Sequence, residues 1–547
     1  FLPKILSLGI LDGITGNVVG SWNTLGLFAG FASLMFLLMI EFFAISKIEK
    51  IVLSVFVLLS VLLTATVNFP LVWLLLGIFS TIVFVYKISI TLEKSEGEDG
   101  VIKAKYFPVV SFVVMLVSLL FFISSGFLGN IIPNSLQISN TEVNPSLSST
   151  MSIAKEVLVK NPIFGIGPNK FKEAWSMYKP LSINNTQFWN VSFNSGSGLF
   201  PTFAATTGGV GILSWVVFFV LFLFIGVKSV FASIKKRINW EMVSFFILSL
   251  YLFISSLFYF TGPVMFLLSF AFSGIFIGLV ASNSNKEFCI SFLNDHRKSF
   301  FSISALIIVT VFFVTVAFKY TERFISIYYF EKALSAQAVP DAKDFIGKAL
   351  SLYSNDFYLR TYSQIYLIDL NSLLSKGKTL SDAENATLQA IFDQALQGAQ
   401  MAINFDSKNY LNYQLLGSVY QTAGVLGVKD AYGKAMEAFK SASAINVNSP
   451  ELKLSLANIS IADKKNKEAK DYANQSLSLK PDYIDALILL SQIATSENDN
   501  ISALSYGEKA LSVSPTSPDL IKYVDSLKNP NKVVNQIKTP VLNTKKP

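Results

Sequence analysis

Between Trp22 and Phe318 the sequence keeps returning to apolar runs long enough to cross about 30 Å of hydrocarbon, which takes roughly 20 helical residues each. A chain in hydrocarbon must satisfy its own peptide groups, so such runs are expected to be bilayer-crossing helices. They extend from Trp22 to Ile45, Ile51 to Val67, Leu71 to Ile88, Phe107 to Ser124, Pro201 to Val227, Met242 to Phe260, Val264 to Ala281 and Phe301 to Phe318, about eight spans. With 52% hydrophobic residues in 547, the whole chain is too apolar for a soluble protein. Past Lys319 the pattern becomes amphipathic and charged. The expected fold is all-α: a polytopic membrane domain over 1–320 with an exterior loop at 125–200, a connector at 321–344, a soluble helical domain at 345–526, and a Pro-, Asn- and Lys-rich tail at 527–547 that is expected to be disordered.

The net charge of +8 is spread thinly and concentrates in short connections, which fits membrane topology better than nucleic-acid binding. "SKIEK", the Lys87 to Lys105 loop, "VKSVFASIKKR" and "NDHRKSF" carry lysine or arginine, whereas "NFP" and "TGP" carry none. The positive-inside rule puts the first set in the cytoplasm, and the start, the 125–200 loop and everything after Phe318 on the other side. The expected location is therefore the cytoplasmic (inner) membrane, multi-pass, with loop and C-terminal domain extracytoplasmic. The chain opens at Phe1 with no signal-peptide pattern and is expected to be a fragment; a cytoplasmic native N-terminus would require an odd number of further spans upstream. The single Cys289 excludes an internal disulfide. His296, the only histidine, falls in a basic loop and reads as a topology residue.

A loop this long is expected to fold. Leu147, Met151, Ala154 and Leu158 follow helical spacing up to "NP" at Asn161 and Pro162; "FGIGPN" is a glycine turn containing Gly165 and Gly167; Phe171, Trp175 and Tyr178 form a second helical stripe, expected to lie flat on the membrane surface. Lys172 and Lys179 share a face of that helix with Lys170 near its start, which gives either a solvated face near anionic headgroups or three cations for a diphosphate. Trp175 and Trp189 are candidates for interfacial packing or for stacking on a sugar. The loop has no Asp, His, Arg or Cys, and its acids are Glu142, Glu156 and Glu173, so no metal site is expected there. No P-loop, GxSxG or HExxH occurs, which speaks against ATP hydrolysis and proteolysis. The spans hold few ionisable groups, Glu41 being one, which speaks against a transporter.

In the soluble part, Ala469 and Ala503, Ser476 and Ala510, and Pro481 and Pro515 are each 34 residues apart. That period and residue order are those of tetratricopeptide repeats, about four to five of them from near Phe345, with an insertion around "GVLGVKDA". A stacked helix-pair surface suits a protein or peptide partner, or serves as a scaffold.

"GSWNTLGLFAGF" (Gly20 to Phe31), "NPIFGIGPNKF" (Asn161 to Phe171) and "GSGLFPTFAATTGGVGIL" (Gly196 to Leu213), each beside a span and in this order, together resemble the O-antigen ligase family, which includes O-antigen polymerases and protein O-oligosaccharyltransferases. The resemblance implies a metal-independent transferase, without a cofactor, that moves a glycan from an undecaprenyl-diphosphate carrier in the membrane to an acceptor hydroxyl outside. Its His-Asn pair falls on Ser197 and Gly198 here, and its exterior arginines are missing from the loop. A site built otherwise would draw on Ser197, Asn194 and Glu173, with Asp12 as another base on the same side and Lys170, Lys172 and Lys179 as point charges for the departing diphosphate. The alternative is an inactive member that acts as a membrane-anchored assembly scaffold through its repeats.

Overall fold

The computed structural model describes residues 15–93, 107–138, 142–235, 240–283, 296–374 and 382–528. Asp12, Cys289 and the expected disordered tail beyond Lys528 lie outside the described residues. All regular structure among the described residues is helical. The chain divides into two compact units, Phe1–Phe171 with Phe193–Phe318, and Lys172–Ser192 with Lys319–Pro547. Part of the long loop therefore belongs to the repeat unit, a division that sequence position does not announce.

The first unit contains α1 (Trp22–Phe42), α2 (Lys47–Val67), α3 (Pro70–Glu93), α4 (Val109–Ile123), α5 (Ile131–Ser135), α6 (Leu147–Lys160), α8 (Leu199–Lys235), α9 (Trp240–Phe258) and α10 (Gly262–Asn283). The boundary between units falls inside α7 (Phe171–Tyr178) and α11 (His296–Ser335). Seven described helices are long and apolar enough to cross a membrane: α1, α2, α3 and α8 to α11. The expected fourth span is instead the 15-residue α4, shorter than the roughly 20 residues a crossing needs.

Ser21 caps α1, its hydroxyl accepting from the Thr24 amide. Leu27, Leu34, Leu37 and Leu38 of α1 are fully buried, making this the central helix. A Cβ at Gly30 would lie 2.4 Å from the Tyr251 hydroxyl oxygen and 2.6 Å from Val72 Cγ1, so the missing side chain lets α1, α3 and α9 meet. Tyr251 donates to the Leu27 carbonyl at 3.2 Å. By contrast α2 leaves Ile51, Val55, Phe56, Leu58, Leu59 and Leu62 uncovered, the surface a lipid-facing helix presents.

The second unit continues with α12 (Val339–Leu352), α13 (Asp356–Leu374), α14 (Asp382–Phe405), α15 (Tyr410–Val425), α16 (Ala431–Ile445), α17 (Pro450–Ala462), α18 (Asn466–Leu479), α19 (Ile484–Ser496), α20 (Asn500–Val513) and α21 (Pro518–Lys528). The helices α17, α19 and α21 begin at Pro450, Ile484 and Pro518, keeping the 34-residue register, and the expected insertion lies between α15 and α16. These are tetratricopeptide repeats: small residues at the crossings, such as Ala469, Ala473 and Ala486, are fully buried and admit Leu490 and Tyr483. The expected connector is helical. No glycine or proline interrupts α11 between Phe318 and Ser335, and Phe330 and Ala333 pack with Ile346, Ala349 and Tyr358.

Asp356 and Arg360 form a largely buried pair at 2.7 Å, with Asn409 donating to the same carboxylate at 2.6 Å. Burial would raise the Asp356 pKa, but Arg360 and these amide donors prevail and hold it below the usual carboxylate value. The stability this gives is present above the unfolded carboxylate pKa and is lost as pH falls through the folded one. Arg360→Leu is expected to strand the carboxylate and cost about 3 kcal/mol, seen as a lowered denaturant midpoint for the repeat unit of the full chain; an unchanged midpoint would contradict the pairing.

Candidate functional site

In the first unit, the glycine turn and the start of α8 are joined backbone to backbone. Ile166 and Gly167 donate to the carbonyls of Ala205 and Thr206, both at 3.0 Å, while Gly209 and Val210 donate to Pro162 and Ile163 at 2.8 and 3.2 Å. The exchange is possible because α8 breaks at Gly208, whose φ of 65° frees its neighbours' amides from the helix. Gly165 has φ 63°, and a Cβ there would meet Ala205 O at 2.6 Å and Gly208 N at 2.8 Å. The Asn161–Phe171 and Gly196–Leu213 segments are thus parts of one construction.

Around it lie the other candidates of this unit. Ser197 donates its amide to Thr150 Oγ1 at 3.0 Å, which ties the approach to α8 onto α6; Asn194 is exposed. Lys170 lies beside the turn, its Cδ 3.0 Å from where a Cβ of Gly167 would be. A cavity of about 780 Å³ opens between α6 and α8, lined by Met151, Ala154, Leu158, Phe200 and Ala204 with Lys155 among them. Glu142 was not singled out by sequence. Its carboxylate accepts the Trp22 amide at 2.5 Å and the Tyr259 hydroxyl at 2.6 Å, so it holds loop, α1 and the end of α9 together at the start of a helix, where negative charge is favoured.

The remaining loop candidates sit in the second unit, and there the flat-lying surface helix is corrected. Trp175 is 3% exposed, and its indole N–H donates to the Val191 carbonyl at 3.0 Å, so protein rather than membrane covers the ring. In the first unit Phe171 is likewise covered, against Gly196. Glu173 is buried. Lys172 is half-buried; desolvation, helped by the Arg360 guanidinium and opposed by Asp356, lowers its pKa. Lys179 is buried and donates to the Trp189 carbonyl at 2.5 Å, and desolvation brings its pKa down to about 8. Its ammonium closes the loop on itself.

Three residues on or facing the repeats, none suggested by sequence, fix this segment. The Asn184 side chain, fully buried, donates to the carbonyls of Asn448 at 2.9 Å and Leu479 at 3.2 Å. Lys480 donates back to the Asn184 carbonyl at 3.0 Å, and Asn448 to the Lys179 carbonyl at 2.8 Å. Trp189 packs on Tyr483 with ring centres 5.2 Å apart and has the Lys480 ammonium over its ring at 5.5 Å. A small polar cavity of about 30 Å³, room for one water, remains among Lys179, Tyr410, Asn446 and Glu451. Among the described residues, no group of three or more His, Cys, Asp or Glu is placed to hold a metal ion.

No family model matches the chain, and no curated protein sequence matches it. Solved tetratricopeptide-repeat structures do resemble it. A thermophilic repeat protein of Thermus thermophilus is 16% identical over 38% of this chain and 99% of its own, with a TM-score of 0.28. YrrB, described as a repeat protein with an unusual peptide-binding site, is 16% identical over 37% and 92%, with a TM-score of 0.26. Yeast Tom70 is 11% identical over 88% and 84%, with a TM-score of 0.29. The repeat assignment rests on the helix pairing and 34-residue register seen here, not on these likenesses.

Two outcomes check the site. Gly208→Ala is expected to cost about 2 kcal/mol or more, because it combines a left-handed backbone with a Cβ 2.5 Å from Gly165 N. Gly274→Ala, with open space around it, is expected to leave thermal stability in detergent unchanged; equal melts for the two would contradict the junction. For Lys179, the cost of burying its charge is full below about pH 8 and is relieved as pH rises toward the unfolded value of 10.5. The repeat unit is thus expected to gain stability relative to Lys179→Met between those values, and a pH-independent difference would contradict the burial.

Proposed function

We propose that the chain is a membrane-anchored interaction protein whose tetratricopeptide repeats hold a polypeptide partner at the extracytoplasmic face of the cytoplasmic membrane. The observation that carries this is chemical: Asn448 and Lys480 each donate to a main-chain carbonyl of residues 172–192, so this surface already binds polypeptide through its backbone. The apolar helices supply the anchor, and the lysine-bearing connections give the sidedness.

A second reading is kept because the Gly165–Gly208 junction brings together two of the three segments that resemble the O-antigen ligase family. In that reading the acceptor oxygen attacks the anomeric carbon of an undecaprenyl-diphosphate glycan, the bond to the diphosphate breaks and the diphosphate leaves on its carrier, and a nearby carboxylate takes the acceptor's proton. Lys170, beside the turn, is the cation offered there. Ser197 and Asn194 would position the acceptor, with Glu142 as the base.

The readings separate in one comparison. Full-length protein in nanodiscs is mixed with undecaprenyl-diphosphate glycan and hydroxyl acceptors, and in cells a photo-crosslinking residue replaces Gln492, an exposed residue of α19. The interaction reading expects no transfer and one discrete polypeptide adduct, which disappears when Asn448→Ala and Lys480→Met are combined. Transfer without an adduct would overturn it in favour of the enzyme.

A further inference from the structure

We infer that residues 172–192 are a resident ligand of the repeats, and that the partner fitting this site is a turn-forming polypeptide segment with an Asn followed five residues later by Trp or another aromatic. The inference deepens the polypeptide-binding reading above and rests on it. The site is the row of turns that open successive repeats, around Ser449 before α17 and Tyr483 before α19. Its contacts fall into two kinds. Asn448 and Lys480 donate to main-chain carbonyls, which every polypeptide offers. Asn184 and Trp189 are read as side chains: the amide donates to two turn carbonyls, Asn448 and Leu479, in a fully buried position, and the indole packs at a tilt against Tyr483 with the Lys480 ammonium over its ring. An amide at the first place pairs both turn carbonyls, and an aromatic ring at the second takes both the ring contact and the cation.

The geometry also decides how the site is controlled. The resident segment is covalently attached, so it competes at an effective concentration in the millimolar range, and a partner in trans must displace it. Displacement frees a stretch that begins directly after Phe171, whose ring belongs to the first unit beside Gly196. A partner bound at the repeats thus takes the place of a loop rather than adding to it.

The experiment uses the full chain and a fluorescent peptide of residues 179–192. The variant Asn184→Ala with Trp189→Ala keeps the repeats and weakens the resident segment; it is expected to bind the peptide at least about 10-fold more tightly than the unaltered chain. Adding Asn448→Ala and Lys480→Met to that variant is expected to abolish binding. Circular dichroism and the repeat unit's melt confirm folding in each case, and Lys480→Met alone supplies a second variant that leaves the loop sequence intact and is expected to raise its proteolysis between 180 and 192. Equal binding to unaltered and loop-weakened chains, or none to either with the repeats folded, would overturn the inference. Peptide binding without any cellular adduct from Gln492 would instead keep this site and remove the scaffold reading.

Discussion

Everything specific about the repeat unit depends on a reciprocal clamp: the Asn184 amide on the carbonyls of Asn448 and Leu479, and the Lys480 ammonium on the carbonyl of Asn184. Each group is buried, and a buried amide or ammonium left unpaired costs more than the bond contributes when made. The Lys480 ammonium is held at the same time by the Asp482 carboxylate at 2.8 Å. The clamp explains why a loop segment of the first 200 residues joins the compact unit of the C-terminal repeats, and why Lys179 and Trp175 turn inward onto the Trp189 and Val191 carbonyls.

The first unit rests on a different device, the absence of side chains. Gly30 lets α1, α3 and α9 approach, and Gly165 with Gly208 lets a loop exchange main-chain hydrogen bonds with a broken helix. Breaking α8 would leave its first amides and carbonyls unsatisfied in an apolar setting; the 162–167 turn supplies the partners. An apolar cavity lies between α6 and α8. A glycan-transfer reading draws its support from this arrangement, and an interaction reading from the clamp.

What the sequence made legible was periodic. The apolar runs, the 34-residue recurrence of Ala469 with Ala503 and the "FGIGPN" turn all repeat or punctuate in ways that local physics dictates, and the helices follow them. The Phe171, Trp175 and Tyr178 stripe announced a helix but not what covers it, because spacing reports a buried face and is silent on its partner. The clamp was not legible at all: Asn184 and Asn448 are 264 residues apart, and one buried amide leaves no pattern. Glu142 escaped for the same reason, its partners Trp22 and Tyr259 being 120 and 117 residues distant. Over the expected connector at 321–344 the long helix continues to Ser335 and the next begins at Val339.

Hydrogen exchange of the full-length protein, followed by mass spectrometry across residues 172–192, tests the central claim most directly. The clamp predicts that amides of Ile183, Thr186 and Trp189, which close short turns within the segment, exchange slowly in the unaltered chain. It predicts that they exchange fast in Asn448→Ala with Lys480→Met, while α17 to α20 stay protected. Rapid exchange in the unaltered chain, or protection that survives both substitutions, would contradict the account.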